Sequence, residues 1–206
     1  MPDQTRRLVL ASSNAGKARE FRALLQGSAW TLLMPVDVGL TPLDVPEGGR
    51  SYLENATLKA VTYAKASGLP ALADDSGIEV DALDGRPGVL SARFGGRRAP
   101  DDGARWRYLL SLLQGVPPPR RGARFRAVLV VALPGGLTYA REGTIEGRIA
   151  LEARGEGGFG YDPVFELPDG RTMAELGEEK QRISHRALAM RAMMEVLNEL
   201  AAGRPG

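Results

Sequence analysis

Short apolar segments alternate with helical segments along the first half of this chain, and consecutive β segments follow them. Residues 8–11 are predicted to form a buried strand that leads into a helix from 15 to about 26. Long β segments are predicted at about 124–133, 137–142 and 144–152, joined by glycine turns. This order predicts an α/β fold in which helices flank a mixed sheet with an antiparallel middle, with a central cleft between two lobes.

Capping residues predict where two further helices begin. A capping box at 51–54 begins one helix, and Ser184 caps the last helix of the chain. The helical period of the first of these predicts a buried face that contains Leu53, Thr57, Ala60 and Ala64.

The composition narrows the chemistry that the chain can carry. With 206 residues and 43% hydrophobic content, it is long enough for one large domain, predicted over residues 1–206 with two lobes. It has no cysteine, which excludes disulfides, thiol nucleophiles and thiolate metal sites. One histidine cannot build a zinc site of several histidines, so a metal would be held by oxygen ligands, as Mg²⁺, Mn²⁺ and Ca²⁺ are.

Charge and hydropathy bear on partners and location. The net charge of +2 reflects a slight excess of basic residues and does not favour a long nucleic acid as partner. Residues 1–7 are polar and lack the apolar stretch of a signal peptide. The longest apolar run, 127–134, is far shorter than the ~20 residues of a membrane-spanning helix. We therefore expect a soluble, cytoplasmic protein that binds neither a nucleic acid polymer nor a membrane.

Lysine is rare in this chain: only four of the 27 basic residues are lysines, and the other 23 are arginines. A lysine ammonium is a compact point charge that suits a phosphate oxygen inside a crowded site. Lys17, Lys59 and Lys180 lie in unusual local sequence, next to polar or acidic residues. This distribution suggests a site for a polyphosphate and a divalent metal. The alternative is that a GC-rich genome replaced lysine with arginine and left four by chance.

The segment Ser12-Ser13-Asn14-Ala15-Gly16-Lys17 joins the first strand to the first helix. At such a junction, free backbone N–H groups point outward and bind anions. Gly16 lets the backbone approach a ligand, and Lys17 can reach a phosphate. Because the spacing of a P-loop is absent, a plain helix cap formed by Asn14 is the alternative.

Two adjacent carboxylates follow a short apolar strand predicted at 71–73. Asp74 and Asp75 repel each other unless a cation or a proton joins them. One of them could hold Mg²⁺ and orient or deprotonate a water molecule, with Glu47 of a flexible loop as a second oxygen ligand. The alternative is an ordinary turn, because Asp-Asp-Ser-Gly is favourable turn sequence and would separate this strand from an edge strand at 78–80.

Two further segments could contact a nucleoside. The glycine-rich segment 157–163 presents Phe159 and Tyr161 on a backbone that could stack a base and hydrogen-bond its edge. Ser184-His185-Arg186 opens the final helix, where a histidine beside an arginine tends to be neutral and to act as a hydrogen-bond partner. The structural alternatives are a hairpin connection for the first segment and an exposed, capped helix start for the second.

In this order, these segments resemble the inosine triphosphate pyrophosphatase family, which hydrolyses non-standard purine nucleoside triphosphates. The similarity spans nearly the whole chain, and its most specific parts are Gly-Phe-Gly-Tyr-Asp-Pro and Ser-His-Arg. One mild departure is that Ser12-Ser13 stands where the family often has Thr-Gly. The matching segments are 12–17, 54–60, 73–77, 87–93, 157–163 and 184–186.

The resemblance implies an elongated α/β fold with a central cleft, which works as a homodimer. It implies Mg²⁺-dependent cleavage of the α–β phosphoanhydride of ITP, dITP or XTP to the monophosphate and pyrophosphate, with Mn²⁺ as an alternative metal. By this match Asp75 is the proton acceptor and a metal ligand, Glu47 is a second metal ligand, and Lys59 is a catalytic residue that holds the triphosphate. The other residues implied to hold the triphosphate are Ser12, Ser13, Asn14, Ala15, Gly16, Lys17 and Ser76. Those implied to hold the base and ribose are Phe159, Gly160, Tyr161, Asp162, Lys180, His185 and Arg186.

The residues themselves leave two choices open. A metal-bound Asp75 is a weaker base, so Asp74 could accept the proton while Asp75 positions the water. Selectivity for a 6-oxo purine should come from hydrogen-bond donors that adenine's amino group cannot satisfy. The candidate donors are Lys180, His185 and Arg186.

Three other functions fit the sequence less well. A Maf-type nucleotide pyrophosphatase shares the Leu10-Ala11-Ser12 start but has an arginine pair where this chain has Asn14 and Lys17. A phosphoaspartyl phosphatase requires a D-x-D spacing that Asp74-Asp75-Ser76 lacks. An RNA-binding module could use the arginines Arg120, Arg121, Arg124 and Arg126, which are more simply a solvated strand entry.

Overall fold

The structure is a computed structural model that describes residues 6–41, 43–46 and 48–203. Glu47, the predicted second metal ligand, lies outside the described residues. Within those ranges no helix is long and apolar enough to cross a membrane.

Six strands and five helices make up the main regular elements of the described chain. The strands are β1 Arg6–Leu10, β2 Trp30–Leu33, β3 Ala71–Val80, β4 Gly122–Ala132, β5 Thr138–Ile149 and β6 Phe165–Glu166. The helices are α1 Ala15–Leu24, α2 Tyr52–Ser67, α3 Asp102–Leu112, α4 Lys180–Ile183 and α5 His185–Ala201. Three of these helices begin after an N-cap side chain that accepts a backbone hydrogen bond, namely Asn14, Ser51 and Asp101.

All six strands belong to one sheet in the order β2-β1-β3-β4-β5-β6. β1 pairs in parallel with both β2 and β3, whereas β5 pairs antiparallel with β6. β4 and β5 are joined by a turn in which the N–H of Leu133 donates to the carbonyl of Leu137 at 2.8 Å. The predicted α/β class, with a mixed sheet flanked by helices, is confirmed.

The chain divides into two compact units. The first contains the described residues of Met1–Asp75, Ala127–Gly143 and Arg186–Gly206, and the second contains Ser76–Arg126 and Thr144–His185. Strands β3, β4 and β5 contribute residues to both units. The single domain and its central cleft stay predictions.

Each unit buries its own set of apolar side chains. The core of the first unit includes Leu8, Phe21, Leu129, Met190 and Leu197. The core of the second unit includes Ile78, Leu109, Phe125, Ile149 and Phe165. Full burial of one such side chain contributes about 1.5–3 kcal/mol, so these two cores rather than exposed ion pairs fix the strand positions from which the polar side chains project.

The structure overturns the prediction that a strand at 71–73 ends in an Asp-Asp-Ser-Gly turn. β3 instead runs from Ala71 through Asp74 and Asp75 to Val80, and both carboxylates are buried. Asp-Asp-Ser-Gly favours a turn when its carboxylates are hydrated. Here cationic side chains replace the water, as described below, and the strand continues.

Two other differences concern weak local signals. β2 was not predicted because its four residues give too short an alternation, and parallel pairing with β1 holds it in the sheet. The segments predicted at 137–142 and 144–152 form a single strand, β5, which passes through Gly143 without a break.

The buried face of α2 is more polar than the helical period predicts. Leu53 is 49% exposed rather than buried. The buried side chains of this helix are Tyr52, Asn55, Ala56, Lys59, Ala60, Tyr63 and Ala64. A buried amide and a buried ammonium cost free energy unless they are hydrogen-bonded, so Asn55 and Lys59 indicate a polar site beneath this helix.

Candidate active site

The first strand–helix junction, residues 12–17, begins the site. Asn14 is the N-cap of α1: its Oδ1 accepts a hydrogen bond from the N–H of Lys17 at 3.0 Å. The N–H of Asn14 donates in turn to Ser12 Oγ at 3.1 Å. Ser13, Asn14 and Ala15 are exposed to solvent. The plain helix cap and the anion site are therefore not exclusive, since a capped helix start that solvent can reach can also receive a phosphate.

Asp74 is the most deeply buried charge of this region. It is 1% exposed, and its Oδ2 lies 3.0 Å from Lys17 Nζ and 2.8 Å from Arg186 Nε. Burial alone would raise the pKa of this carboxyl, but the charges of Lys17 and Arg186, with their hydrogen bonds, hold the pKa well below its ordinary value. Asp74 is therefore ionised at neutral pH and poorly suited to accept a proton.

Asp75, the next residue of β3, has different surroundings. Lys59 Nζ lies 3.0 Å from its Oδ1, and Asn55 Nδ2 donates to its Oδ2 at 3.0 Å. Burial raises the pKa of Asp75, although the Lys59 charge and these two hydrogen bonds act in the opposite direction. Its side chain is 10% exposed, against 0% for Asp74. Asp75 is thus the more accessible and the more basic of the two carboxylates.

The two lysines of this region converge on one backbone atom. Lys17 Nζ and Lys59 Nζ donate to the carbonyl oxygen of Asp74, at 3.0 and 3.2 Å respectively. Burial lowers the pKa of Lys17, and the charges of Arg186 and Lys59 lower it further against the opposing effect of Asp74. Two ammonium groups held this close repel each other, so an anion that contacts both would be stabilised. The structure thus brings Lys17, Lys59 and Asp75 together, as the distribution of lysines suggested for these two lysines. Lys180, the third lysine of that argument, belongs to the second unit.

Arg186 is directed toward the acidic pair. Its Nε donates to Asp74 Oδ2, and its Nη1 donates to Glu20 Oε2 at 3.2 Å. Glu20, which the sequence analysis missed, is buried on α1. One signal could have found it, because Glu20 lies three residues after Lys17 and therefore on the same helix face. Arg186 neutralises two carboxylates, and its contact with the base or ribose stays a prediction.

In the second unit, Asp162 holds the glycine-rich loop from within. Its Oδ2 accepts hydrogen bonds from the N–H of Phe159 at 2.8 Å and from Lys180 Nζ at 2.6 Å. The Lys180 ammonium also lies 5.0 Å from the centre of the Phe159 ring, a cation–π distance. Gly158 has no room for a side chain, because a Cβ there would overlap the Asp162 carboxylate. Phe159, Asp162 and Lys180 therefore form one contiguous group.

Ser91 and Asp102, which the sequence analysis did not assign to the site, hold the rest of this loop through hydrogen bonds. The Tyr161 hydroxyl donates to the carbonyl of Ser91 at 2.9 Å, and burial raises its pKa. The N–H of Gly160 donates to Asp102 Oδ2 at 2.8 Å. Ser91 lies within the matched segment 87–93, whereas Asp102 has no signal beyond an acidic residue in a first helical turn. The loop is thereby fixed at several consecutive residues.

His185 is packed rather than exposed. It is 2% exposed, and its ring stacks on Phe125 with the ring centres 4.8 Å apart and the planes 16° apart. Ser184 and Arg186 are buried too, so the alternative of an exposed helix start is wrong. The ring of Phe125 fixes the orientation of the His185 imidazole. A contact between His185 and a nucleoside stays a prediction.

The arginines considered as an RNA contact bind the protein itself. Arg121 is buried, and its guanidinium donates to four backbone carbonyls, three of them at 2.8 Å. Arg124 forms ion pairs with Asp81 and Glu146, each at 3.0 Å. These contacts account for much of the cluster without a nucleic acid and argue against an RNA-binding module.

The predicted site residues fall into two groups, each described within its own unit. The first group contains residues 12–17, Lys59, Asp74, Asp75 and Arg186. The second group contains Phe159, Gly160, Tyr161, Asp162, Lys180 and His185, together with Ser76, which follows Asp75 in β3 and is half-buried.

The side chains of the site determine how a divalent metal ion could be held there. Among the described residues, no group of three or more histidine or acidic side chains could hold a metal ion. Mg²⁺ is commonly held by one or two carboxylates together with substrate phosphates and water. Asp75 offers one such carboxylate, and its two hydrogen bonds occupy two of about four lone-pair positions. The residues therefore fit a Mg²⁺ ion that arrives with a polyphosphate rather than a closed structural site.

The start of α1 is a place where an anion can bind, and Lys17 from this junction and Lys59 from α2 lie beside the acid pair of β3. This combination on a mixed α/β sheet defines a candidate phosphate-binding protein. The profile of the Ham1 family matches residues 8–196. The chain belongs to the Ham1 family. Because its relatives bear the name of a purine nucleotide pyrophosphatase, the resemblance given by the sequence motifs is confirmed.

Relatives and solved structures match over most of the chain. A dITP/XTP pyrophosphatase from Thermus thermophilus is 52% identical over 196 residues, which are 94% of this chain and 92% of the relative. One from Desulforamulus reducens is 48% identical, over 94% of this chain and 96% of the relative. The structure of a HAM1 protein from Coxiella burnetii has a TM-score of 0.83 and 39% identity, with 94% of this chain and 99% of that chain covered. A Ham1 protein from Staphylococcus aureus has a TM-score of 0.81 and 37% identity, over 94% and 98% of the two chains.

Replacement of Asp74 by Asn should destabilise the fold by about 3–5 kcal/mol at neutral pH, because it removes the counter-charge from the buried Arg186 and the partly buried Lys17. The folded-state pKa of Asp74 lies below its ordinary value of 3.8, so its contribution is present above that pH and is lost as the pH falls through the folded-state pKa. The difference in free energy of unfolding between wild type and Asp74→Asn should therefore shrink as the solution is acidified. Urea titrations at neutral and acidic pH measure this difference.

Asp169→Asn is the matched control for this variant. Asp169 is exposed and pairs with Arg171 at 2.6 Å, so its loss should cost far less stability. Equal losses in the two variants, or a difference that does not depend on pH, would contradict the role given to Asp74.

Proposed function

We propose that this protein hydrolyses non-standard purine nucleoside triphosphates such as ITP, dITP and XTP at the α–β phosphoanhydride, releasing the nucleoside monophosphate and pyrophosphate. The names of its relatives support both the substrate class and the cleavage of an acid anhydride. Such an enzyme removes damaged purines from the nucleotide pool.

The observation that carries the proposal is the convergence of Lys17 and Lys59 beside Asp75. A triphosphate carries about four negative charges, which two ammonium groups and one divalent cation would largely balance. Both ammonium groups are bound to the same carbonyl oxygen, so their positions do not depend on the ligand. Charge that is positioned in advance in a partly buried site stabilises an anion more than the same charge in water.

Asp75 is the residue that we assign as proton acceptor. A water oxygen attacks the α-phosphorus, its proton passes to Asp75, and the bond from the α-phosphorus to the bridging oxygen breaks so that pyrophosphate leaves. Burial raises the pKa of Asp75, which makes it a better base than Asp74, whose proton affinity Lys17 and Arg186 suppress. This difference favours Asp75 over Asp74 for the proton, and it leaves Asp74 to hold the cations in place. A metal ion on Asp75 would lower its basicity, and the rise in pKa from burial acts against that effect.

Mg²⁺, with Mn²⁺ as an alternative, is the metal proposed for this reaction. Asp75 would hold it together with the phosphates, and Glu47 is proposed as a second carboxylate from the sequence match. When bound, the metal would supply positive charge that stabilises the leaving pyrophosphate. Lys59 meanwhile holds one oxygen of the Asp75 carboxylate in a fixed position.

Base recognition is assigned to residues 159–162 together with Lys180 and His185. The Lys180 ammonium is held between Asp162 and the Phe159 ring, so it has a fixed position. A fixed donor favours a carbonyl at purine position 6 over an amino group, and a buried mismatch costs about 1–3 kcal/mol. We propose Lys180 and His185 as the donors because they belong to the same unit as residues 159–162, whereas Arg186 belongs to the group of Asp74 and Glu20.

The family resemblance also leads us to propose that the protein works as a homodimer in the cytoplasm. Size-exclusion chromatography with light scattering would report a mass twice that of the chain.

A panel of nucleotides tests the proposed reaction. Purified protein should release pyrophosphate and monophosphate from ITP, dITP and XTP when Mg²⁺ or Mn²⁺ is present, and not in a chelator. ATP should be the poorer substrate by about 5- to 150-fold in kcat/KM, which corresponds to 1–3 kcal/mol. Coupled pyrophosphate assays and chromatography of the nucleotide products measure both. Release of inorganic phosphate with a diphosphate, or equal turnover of ATP and ITP, would refute the proposal.

Asp75→Asn should lower kcat for ITP by about 10²- to 10⁴-fold, because it removes the proton acceptor. Binding of ITP, measured by calorimetry, should stay largely intact, since Lys17 and Lys59 remain. Turnover at the wild-type rate in this variant would remove Asp75 from the mechanism.

Lys59→Ala and Lys65→Ala form a matched pair on the same helix. Lys59 is buried and bound to Asp75, whereas Lys65 is exposed in the last turn. We expect Lys59→Ala to lower kcat/KM for ITP strongly and Lys65→Ala to leave it at the wild-type value. Equal small effects would mean that the scarcity of lysine carries no functional information.

A further inference from the structure

Asn55 uses both ends of its side-chain amide inside the site. It lies on the buried face of α2 and is 2% exposed. Its Oδ1 accepts a hydrogen bond from the N–H of Gly49 at 2.9 Å, and its Nδ2 donates to Asp75 Oδ2 at 3.0 Å. In the sequence analysis Asn55 belonged to a matched segment but had no assigned role.

The orientation of this amide follows from its neighbours. A backbone N–H requires an acceptor, so the amide oxygen faces Gly49 and the NH₂ group faces Asp75. Lys59, four residues further along α2, donates to the other oxygen of the same carboxylate. Residues four apart share one helix face, so α2 holds both oxygens of Asp75 from a single rigid element.

Gly49 is fitted closely to Asn55. A Cβ at position 49 would lie 2.5 Å from Asn55 Oδ1 and 3.0 Å from the Cβ of Glu54, whereas nothing lies within 4 Å of a Cβ at Gly48. The next N–H of this loop, that of Arg50, donates to Glu54 Oε2 at 2.6 Å. The loop at 48–50 is therefore fastened to α2 through two successive N–H groups.

We infer that Asn55 is a positioning residue for hydrolysis, which orients the Asp75 carboxylate and at the same time fixes the loop at 48–50. The inference rests on the proposed function, because the orientation of Asp75 matters only if Asp75 is the reactive group. In sequence this loop follows Glu47 directly. One side chain therefore connects the two chain segments that carry the proposed metal ligands.

Asn55→Leu keeps the side-chain volume and removes both hydrogen bonds. It should lower kcat for ITP by about 10- to 100-fold, the range found when a partner of a metal-ligating side chain is lost. KM should change far less, because Lys17 and the junction at 12–17 remain. Asn55→Asp places a second carboxylate against Asp75 and should be impaired at least as much. A merely structural role would lower the free energy of unfolding but leave kcat per folded molecule at the wild-type value.

Two neighbouring glycines test the same inference without a change at Asn55. Gly49→Ala should displace the amide and lower kcat in the same direction as Asn55→Leu. Gly48→Ala should keep the wild-type kcat. This pair decides the question even if Asn55→Leu does not fold, and equal kcat values in the two alanine variants would overturn the inference.

A second readout needs neither metal nor substrate. Amide hydrogen exchange at Gly49, followed by NMR, reports the hydrogen bond to Asn55 Oδ1, and protection should fall in Asn55→Leu. Unchanged protection at Gly49 together with a wild-type kcat in Asn55→Leu would contradict the inference. If the wild-type protein released pyrophosphate from no triphosphate, the proposed function would fail instead, while exchange at Gly49 would still report the contact.

Discussion

Asp74 carries a negative charge where water does not reach, and this is tolerable only because Lys17 and Arg186 lie against it. An isolated buried carboxylate would cost several kcal/mol, so β3 can pass through the acidic pair only where α1 and α5 deliver these cations. Glu20 extends the arrangement from Arg186 back to α1. The positions of β3, α1 and α5 are therefore set by charge as well as by the apolar contacts of the first core.

These surroundings give different pKa values and different access to solvent to Asp74 and Asp75, which are identical side chains and neighbours in sequence. Cations surround Asp74 so closely that it keeps its charge and holds Lys17 in place. Asp75 receives one ammonium and one amide, retains some access to solvent and has its pKa raised by burial. The permanent negative charge and the proposed proton acceptor thus come from one residue type, and burial and partners make the difference. The preference for Asp75 as the base follows from this difference.

Local sequence signals were sufficient wherever a feature depends on neighbouring residues. The caps at Asn14 and Ser51, the strand–helix junction and the mixed sheet could all be predicted. The continuous β3 could not, because its acidic segment favours a turn in water and the cations that neutralise it come from distant parts of the chain. Asn55 was not assigned for the same reason, because a polar residue on a helix does not reveal its partner on another element. Glu20 was missed although its spacing from Lys17 places both on one helix face. The motif resemblance supplied most of the candidate site residues, and the structure adds the contacts that those side chains make.

The uninterrupted course of β3 has a consequence for how this region can vary. Successive side chains of a strand point to opposite faces, so Asp74 reaches α1 and α5 while Asp75 reaches α2. Insertion or deletion of a single residue between Ala71 and Asp74 would exchange the two faces and deliver each carboxylate to the other's partners. The number of residues between Ala71 and Asp74 is therefore more strictly constrained than their identity. Natural or engineered variants should carry substitutions in this segment, not insertions or deletions.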